Sequence, residues 1–244
     1  EGGGNAFGVE IDSRGRIFSG HNGGDTRGFH YLPGAYFRKG FGKHGELSNP
    51  YAFGFFEAMG HHRAERFTHT FVIQESESLP PRFRGHLFGV EPLQGRVVLS
   101  RMEADGSTFK TTDVEYVLKS GGDSWFRPVD IQEGPDGALY VADFYEQRID
   151  HAAHAQGRVH RGSGRVYRLR SAAAEAGVTL PPPDDLDGWL ERLGAPIRWQ
   201  RQMALRRVVE LADRTTAQKL VDLTTRDEEN MVLGALWALA QLNQ

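Results

Sequence analysis

Short apolar runs separated by turn-forming residues mark roughly the first 170 residues of the chain. Residues 7–11 and 16–20 flank D-S-R-G, and residues 128–133 and 138–142 flank G-P-D-G. Such pairs predict antiparallel strands, because glycine supplies the positive φ and proline the fixed φ of a tight turn. The recurrence of one strand–turn–strand unit predicts consecutive blades of an all-β propeller.

A helical periodicity replaces this pattern near residue 186. Apolar residues fall at i, i+3, i+4 and i+7, the spacing of one helix face, at Leu186, Trp189, Leu190 and Leu193. Similar spacing continues to residue 244 and predicts short paired helices of the HEAT or armadillo type. We expect Trp189, Trp199 and Leu205 to be buried between these helices.

The two patterns divide the chain into three segments. Residues 1–170 are predicted to be a partial β-propeller, residues 171–185 a proline-rich linker, and residues 186–244 an incomplete HEAT-like helical solenoid. The chain has no initiator methionine and is interpreted as an internal fragment of a longer protein.

Composition and charge narrow the function classes. The 244 residues carry a net charge of −3, which gives no general attraction to nucleic acid. The absence of cysteine excludes disulfides, a thiol nucleophile and zinc–thiolate sites. No apolar run approaches the about 18 residues of a membrane-spanning helix.

Two stretches resemble a known family. FRPVDIQEGPDGALYVADFYEQRI and the upstream NAFGVEIDSRGRIFSGHNGGDTRGFHYLPG are similar to the membrane-bound dehydrogenase domain of planctomycete and verrucomicrobial proteins. That domain in turn resembles the soluble pyrroloquinoline-quinone (PQQ) glucose and sorbosone dehydrogenases. The resemblance covers roughly residues 5–170. It implies a propeller of about six blades in the parent protein, followed by HEAT-like repeats.

The resemblance implies Asn5, Arg127 and Asp143 as cofactor-binding residues, with Arg127 facing a carboxylate of the quinone. The alternative for Arg127 and Asp143 is a structural ion pair. Two cations of the family pattern are absent, since Gly4-Asn5-Ala6 and Leu93-Gln94-Gly95 stand in their places. We therefore expect weak or no PQQ binding to this chain, with PQQ and Ca²⁺ belonging to the intact parent and haem c lying outside the chain.

A second polar cluster follows residues 16–20. It supplies candidate ligands for a substrate or a cation: His21, Asn22, Asp25, Arg27 and His30. The alternative is a simple turn at Asn22-Gly23-Gly24-Asp25. No metal signature is recognised here or elsewhere. Two further groups of histidines are interpreted as solvated loop residues, namely His61, His62 and His69, and His151, His154 and His160. The alternative for His151 and His154 is a shared ligand in a helical turn.

The sequence thus leaves two functions open. The first is a sugar or alcohol dehydrogenase-like protein, periplasmic or membrane-associated, that passes electrons to a c-type cytochrome module. The second is a non-catalytic propeller–solenoid scaffold that binds glycans, or a protein partner through the helical repeats. Neither interpretation includes nucleic acid binding, and whether the chain is an enzyme is undecided at this point.

Overall fold

The computed structural model describes residues 6–37, 54–65, 68–148, 150–172 and 181–242. The predicted cofactor residue Asn5 and most of the predicted linker lie outside these residues. The described chain forms two compact units. The first, strand-rich unit comprises residues 1–74, 85–132 and 139–169, and the second, helical unit comprises residues 75–84, 133–138 and 170–244.

Within the described residues, the strand-rich unit contains four sheets. The strands are β1 (Ala6–Ile11), β2 (Ile17–His21), β3 (Phe29–Tyr31), β4 (Tyr36–Phe37), β5 (Phe55–Phe56), β6 (Gly60–His61), β7 (Phe71–Ile73), β8 (His86–Glu91), β9 (Arg96–Asp105), β10 (Thr108–Lys119), β11 (Pro128–Glu133), β12 (Leu139–Asp143) and β13 (Arg165–Leu169). Strand orders are β1-β2-β3, β6-β10-β9-β8-β7, β11-β12-β13 and the short parallel pair β4-β5.

The predicted strand pair around G-P-D-G is confirmed. β11 and β12 are neighbours in one sheet, and residues 134–137 form the turn between them. Gly137 has a φ of 73° and its N–H donates to the Gly134 carbonyl over 2.9 Å. Glycine is needed at this position because side chains rarely tolerate a left-handed backbone.

Hydrogen bonds link β1, β7 and β11, one strand from each of the three larger sheets. The N–H of Ile73 in β7 donates to Glu10 Oε1 in β1 over 2.8 Å. Thr70 Oγ1, just before β7, donates to Asp130 Oδ1 in β11 over 3.0 Å. The segment 70–73 therefore contacts both β1 and β11, as the first strands of neighbouring propeller blades do.

Apolar side chains fill the space between these sheets. One buried cluster joins β2, β7 and β8 through Phe18, Phe71, Ile73, Leu87 and the nearby Met59. The members are at most 5% exposed. The alternating apolar positions of the strands supply this core, because successive side chains of a strand point to opposite faces.

The helical unit contains α2 (Leu186–Glu191), α3 (Arg198–Glu210), α4 (Thr216–Leu223) and α5 (Glu229–Leu242), while the short α1 (His151–Ala155) belongs to the strand-rich unit. The core of the helical unit includes Trp189, Leu193, Ala204, Leu220 and Ala235. The prediction that Trp189 is buried is confirmed, whereas Trp199 and Leu205 are only half-buried. A HEAT-like repeat arrangement stays a prediction.

Two segments that precede the helices in sequence complete the helical unit. Glu133 Oε1 accepts a hydrogen bond from the N–H of Trp199 over 3.0 Å, and Ser76 Oγ accepts one from the N–H of Arg198 over 2.8 Å. These N–H groups belong to the first turn of α3, where no helical carbonyl is available to them. The side chain of Ile197, which precedes the helix, is apolar and makes no capping hydrogen bond.

Within the described residues, no helix is long and apolar enough to cross a membrane.

Candidate functional site

Arg127 and Asp143 meet where β12 ends. Asp143 is 3% exposed, and its Oδ1 accepts hydrogen bonds from the N–H groups of Arg127 and Tyr145, each over 2.8 Å. The Arg127 guanidinium donates instead to the carbonyls of Phe126 and Gln147, over 3.0 and 2.9 Å. The two residues are therefore joined through the Arg127 main chain, and the side-chain ion pair considered from the sequence is not formed.

The second carboxylate oxygen of Asp143 is buried. Among the described residues, no group donates a hydrogen bond to Asp143 Oδ2. A buried acceptor without a donor costs about 1–3 kcal/mol, so a hydroxyl or N–H of a ligand at this position would be favoured. Tyr145, two residues further on, has a φ of 48°. Side chains rarely occupy this left-handed region, and such residues concentrate at binding sites.

Glu146 and His160 form a closely bound pair in the loop between β12 and β13. The Glu146 side chain is 5% exposed, and its Oε2 lies 2.8 Å from His160 Nδ1. The His160 N–H also donates to Glu146 Oε1. These bonds lower the pKa of Glu146, with the imidazole contact as the main cause. The carboxylate orients the ring, so that Nε2 points away from Glu146 while 55% of the side chain is exposed.

Aromatic rings surround this pair. The Trp125 ring lies 4.7 Å from the His160 ring and 5.7 Å from the Tyr145 ring. The Arg165 guanidinium lies 3.6 Å from the centre of the Tyr145 ring. Ser163 Oγ donates to the carbonyl of His160 over 2.6 Å. The His160 ring is thus held beside an apolar wall while 55% of its side chain stays exposed, and the sequence interpretation of this residue as a solvated loop histidine is confirmed.

The members of the second predicted cluster, which follows β2, have different surroundings in the structure. His21 is buried at the end of β2, where its N–H donates to the Thr68 carbonyl over 2.9 Å. Asn22 is also buried, whereas Asp25 is exposed and adopts a φ of 65°. The left-handed backbone of Asp25 agrees with the turn considered from the sequence.

Arg27 belongs to a buried network rather than to a ligand cluster. Its side chain is fully buried and forms ion pairs with Glu91 and Asp113. Arg27 Nη1 also donates to Thr68 Oγ1 over 3.1 Å, and Ser100 Oγ donates to Asp113 over 2.6 Å. The positive charge of a guanidinium with carboxylates on two sides is already compensated, so a further anion would gain little by binding to it.

His61 joins this network through Asp113. The His61 side chain is 1% exposed, with Nδ1 2.7 Å from Thr111 Oγ1 and Nε2 3.7 Å from Asp113. Burial alone would raise the pKa of Asp113, but the polar contacts with His61, Arg27 and Ser100 outweigh it and hold this pKa well below the usual range. The interpretation of His61 as a solvated loop residue is therefore wrong.

Two further histidines have depressed pKa values. His30 stacks on Phe18 at 4.9 Å and meets Phe109 edge-on at 5.1 Å, and burial lowers its pKa. His69 stacks on Phe7 at 4.0 Å, and burial lowers its pKa in spite of a hydrogen bond with the Val129 main chain. Both rings are thus favoured in the neutral form, and the surroundings of His30 are aromatic rather than those of a cation site.

The residues at these loops do not fit the carboxylates of a PQQ molecule. Arg27 is paired with Glu91 and Asp113, and Arg96 is paired with Glu91 and Glu65. A Cβ on Gly95, in the turn where the family pattern has a lysine, would lie 3.8 Å from Arg127 Nη1. The position next to Arg127 therefore carries no cation, while Arg127 itself is bound to carbonyls.

Among the described residues, no group of three or more histidine, aspartate or glutamate side chains could hold a metal ion. No redox cofactor or metal is therefore assigned to the described residues of this chain.

Sequence reasoning found Asp143 and Arg127 but missed Trp125, Tyr145 and Glu146. The aromatic residues flank the two predicted residues directly in W-F-R and D-F-Y-E. An acidic residue three positions after Asp143, with a histidine in the same loop, was the available signal for Glu146 and His160. This signal is weak, because no local spacing in the sequence shows that the loop brings residues 146 and 160 together.

A family model described as a domain of unknown function, DUF7133, matches residues 1–173. The chain therefore belongs to the DUF7133 family. No curated protein matches it.

Solved structures of sugar dehydrogenases resemble the chain at low identity. They include a protein described as an oxidoreductase (glucose dehydrogenase) from Thermus thermophilus, with 21% identity and a TM-score of 0.44 over 67% of this chain and 43% of that chain. The soluble aldose sugar dehydrogenase of Escherichia coli, in its apo form, has 19% identity and a TM-score of 0.38 over 59% and 42%. The chain spans less than half the length of each.

Proposed function

We propose that this DUF7133 member is part of a sugar- or alcohol-oxidising propeller protein. We further propose that the β12 exit, the site at the end of β12 formed by Trp125, Asp143, Tyr145, Glu146 and His160, binds the hydroxyl-bearing substrate. The observation that carries the proposal is the pairing of the buried Glu146 carboxylate with the half-exposed His160 ring in the loop that follows Asp143. An imidazole held by a buried carboxylate is the usual arrangement of a group that takes a proton from a hydroxyl near neutral pH.

Each residue has a distinct role in this proposal. Asp143 Oδ2 accepts a hydrogen bond from one substrate hydroxyl, which supplies the donor that the buried oxygen needs. His160 Nε2 accepts the proton of the hydroxyl that is oxidised, and Glu146 stabilises the imidazolium that results. The rings of Trp125 and Tyr145 offer an apolar wall for the substrate carbons.

In this proposal the described residues bind the substrate and accept its proton, and they are given no part in the redox step. Hydride acceptance, electron transfer to a c-type cytochrome and a periplasmic or membrane-associated location rest on the sequence resemblance of residues 5–170. No step is routed through PQQ, because the described guanidinium groups are bound to carboxylates and carbonyls.

A glycan-binding scaffold without redox activity is the second candidate. The neutralised guanidinium groups favour it, since a neutral saccharide needs hydrogen-bonding groups and apolar rings but no cation. The same β12 exit would then bind sugar hydroxyls without chemistry.

Two measurements test and separate these functions. The first is titration of the 244-residue chain with neutral sugars and alcohols, followed by tryptophan fluorescence. We expect Asp143→Asn and His160→Gln each to weaken binding about tenfold, since a hydrogen bond to a charged group is worth about 1.5–3 kcal/mol. His154→Gln, at an exposed histidine of α1, is the matched control and should change nothing. Unaltered binding in both site variants would remove the β12 exit from consideration.

The second measurement is dye reduction by the full-length protein with PQQ and Ca²⁺ over the same panel. Turnover that falls in His160→Gln supports oxidation. Binding without turnover assigns the scaffold function, and turnover that is unchanged in His160→Gln contradicts the role of this residue as proton acceptor.

A further inference from the structure

Asp143 and Arg165 stand directly opposite each other where β12 pairs with β13. Opposite residues of an antiparallel pair point to the same face of the sheet, with Cβ atoms about 4.5–5.5 Å apart. No ion pair joins these two side chains, because Asp143 Oδ1 turns to the main-chain N–H groups of Arg127 and Tyr145 and Oδ2 receives no hydrogen bond. A carboxylate and a guanidinium are thus neighbours at the β12 exit without a direct bond between them.

The Arg165 guanidinium is held against the Tyr145 ring. It lies 3.6 Å from the ring centre, and its Nε and Nη2 donate to the Ser163 carbonyl, each over 3.3 Å. The Tyr167 hydroxyl is a further polar partner. These partners are uncharged, so the positive charge of Arg165 is not paired with a carboxylate of the described residues. A guanidinium stacked on a ring keeps a planar fork of donors, which matches a carboxylate in two parallel hydrogen bonds.

The acidic side chains of the loop between β12 and β13 are already paired. Glu146 binds His160, and Asp150 binds Arg148. Arg161, in contrast, is exposed and forms no ion pair within the described part of the chain. The loop therefore adds positive charge beside the β12 exit, and such a field attracts anions.

The two sides of the site favour different groups of a ligand. Asp143 Oδ2 is a buried acceptor without a donor among the described residues, so it favours a hydroxyl. The Arg165 fork favours a carboxylate. A neutral sugar provides only the hydroxyl, whereas a sugar acid provides both groups in one molecule.

We propose that the β12 exit prefers acidic sugars, with one hydroxyl of the ligand donating to Asp143 and the ligand carboxylate pairing with Arg165. This inference rests on the proposed function, since it names the substrate class of the same site. A single guanidinium provides for one carboxylate, so a uronic acid fits. The two carboxylates repel each other least when the carboxylate of the ligand lies at the far end from the bound hydroxyl.

Calorimetric titration of the 244-residue chain with glucuronate, glucuronamide and glucose tests the proposal. Glucuronamide carries an uncharged group of similar shape in place of the carboxylate, so the ratio of the two affinities isolates the effect of charge. We expect glucuronate to bind about tenfold more tightly than glucuronamide, as a charge-assisted contact does relative to a neutral one. Arg165→Gln should bring this ratio to within about twofold of one.

Arg161→Gln is the matched control, because it removes an exposed guanidinium from the same loop. An exposed charge that makes no contact with the ligand is screened by salt, so the ratio should stay within about twofold of its original value. An equal fall of the ratio in Arg161→Gln and Arg165→Gln would indicate general charge attraction and overturn the inference.

Two further outcomes overturn it, namely equal binding of glucuronate and glucuronamide, and a preference for glucuronate that persists in Arg165→Gln. In these cases the proposed function survives if glucose binds and Asp143→Asn weakens that binding. Failure of the proposed function gives a different result. Either binding of all three ligands is unchanged in Asp143→Asn, or none of the three saturates the chain up to about 10 mM, which overturns both proposals.

Discussion

The carboxylate of Glu146 binds both the imidazole Nδ1 and the main-chain N–H of His160, fourteen residues away. This double contact closes the loop between β12 and β13 and fixes the ring beside Trp125. The loop geometry at the candidate site therefore depends on the ionised form of one buried carboxyl group.

The loop should open in acid. The pKa of Glu146 is lower in the folded protein than its ordinary value of 4.5, chiefly through the His160 side chain. A depressed folded pKa contributes stability above the unfolded pKa, and this contribution is lost as the pH falls through the folded value. We expect a change in Trp125 fluorescence below about pH 4. Glu146→Gln should abolish this change, and a transition of the same size in that variant would contradict the assignment.

Removal of Arg27 should be strongly destabilising. Arg27→Ala leaves the buried Glu91 and the partly buried Asp113 without their guanidinium, which we expect to lower the free energy of unfolding by about 3–5 kcal/mol. Arg101→Ala is the control, because Arg101 pairs with Glu103 at the surface and should contribute at most about 1 kcal/mol. Urea unfolding of both variants measures the difference, and equal losses would show that the Arg27 network has no special weight.

The sheets could be predicted from sequence to different degrees. The β11–β12 pair was predicted because glycine and proline fix its turn locally. The full length of β10, Thr108–Lys119, could not be predicted in this way. Many of its side chains, including Val114 and Tyr116, are exposed, and the alternating pattern that marks a half-buried strand is therefore weak.

The candidate site was predictable only in part. Asp143 ends a strand, and its importance follows from that position. The buried ion pairing of Arg27 could not be predicted from its neighbours His21 and His30, because its partner Asp113 lies 86 residues away in sequence. Long-range ion pairs depend on sheet order, and no local spacing in the sequence reports it.

The side chains of Ser76 and Glu133 should stabilise α3. Glu133→Ala removes the acceptor of the Trp199 N–H and also the partner of Ser76 Oγ. Loss of a helix cap costs about 0.5–2 kcal/mol, so we expect thermal unfolding of the helical unit at lower temperature. Glu210→Ala, at the exposed end of the same helix, should cost no more than about 0.5 kcal/mol. A larger loss in Glu210→Ala than in Glu133→Ala would contradict this ranking.

Gly137→Ala should destabilise the turn after β11. Gly137 has a φ of 73°, and a Cβ at this position would lie 2.4 Å from Ser78 Cβ. The left-handed backbone alone costs a side chain about 1–2 kcal/mol, and the contact adds to it. Gly162→Ala is the matched control, since an added Cβ there meets nothing within 4 Å. Chemical unfolding should separate the two variants, and an equally stable Gly137→Ala would show that the turn relaxes freely.

Residues from two earlier segments of the chain cap α3, and this limits which parts of the chain can be exchanged by recombination. An exchange of residues 186–242 between two proteins would bring the helices without Ser76 and Glu133. The first-turn N–H groups of the transplanted α3 would then depend on whatever side chains the recipient offers. Recombination at the linker should consequently be selected against, and positions 76 and 133 should change in step with the first turn of α3 as the lineage diverges.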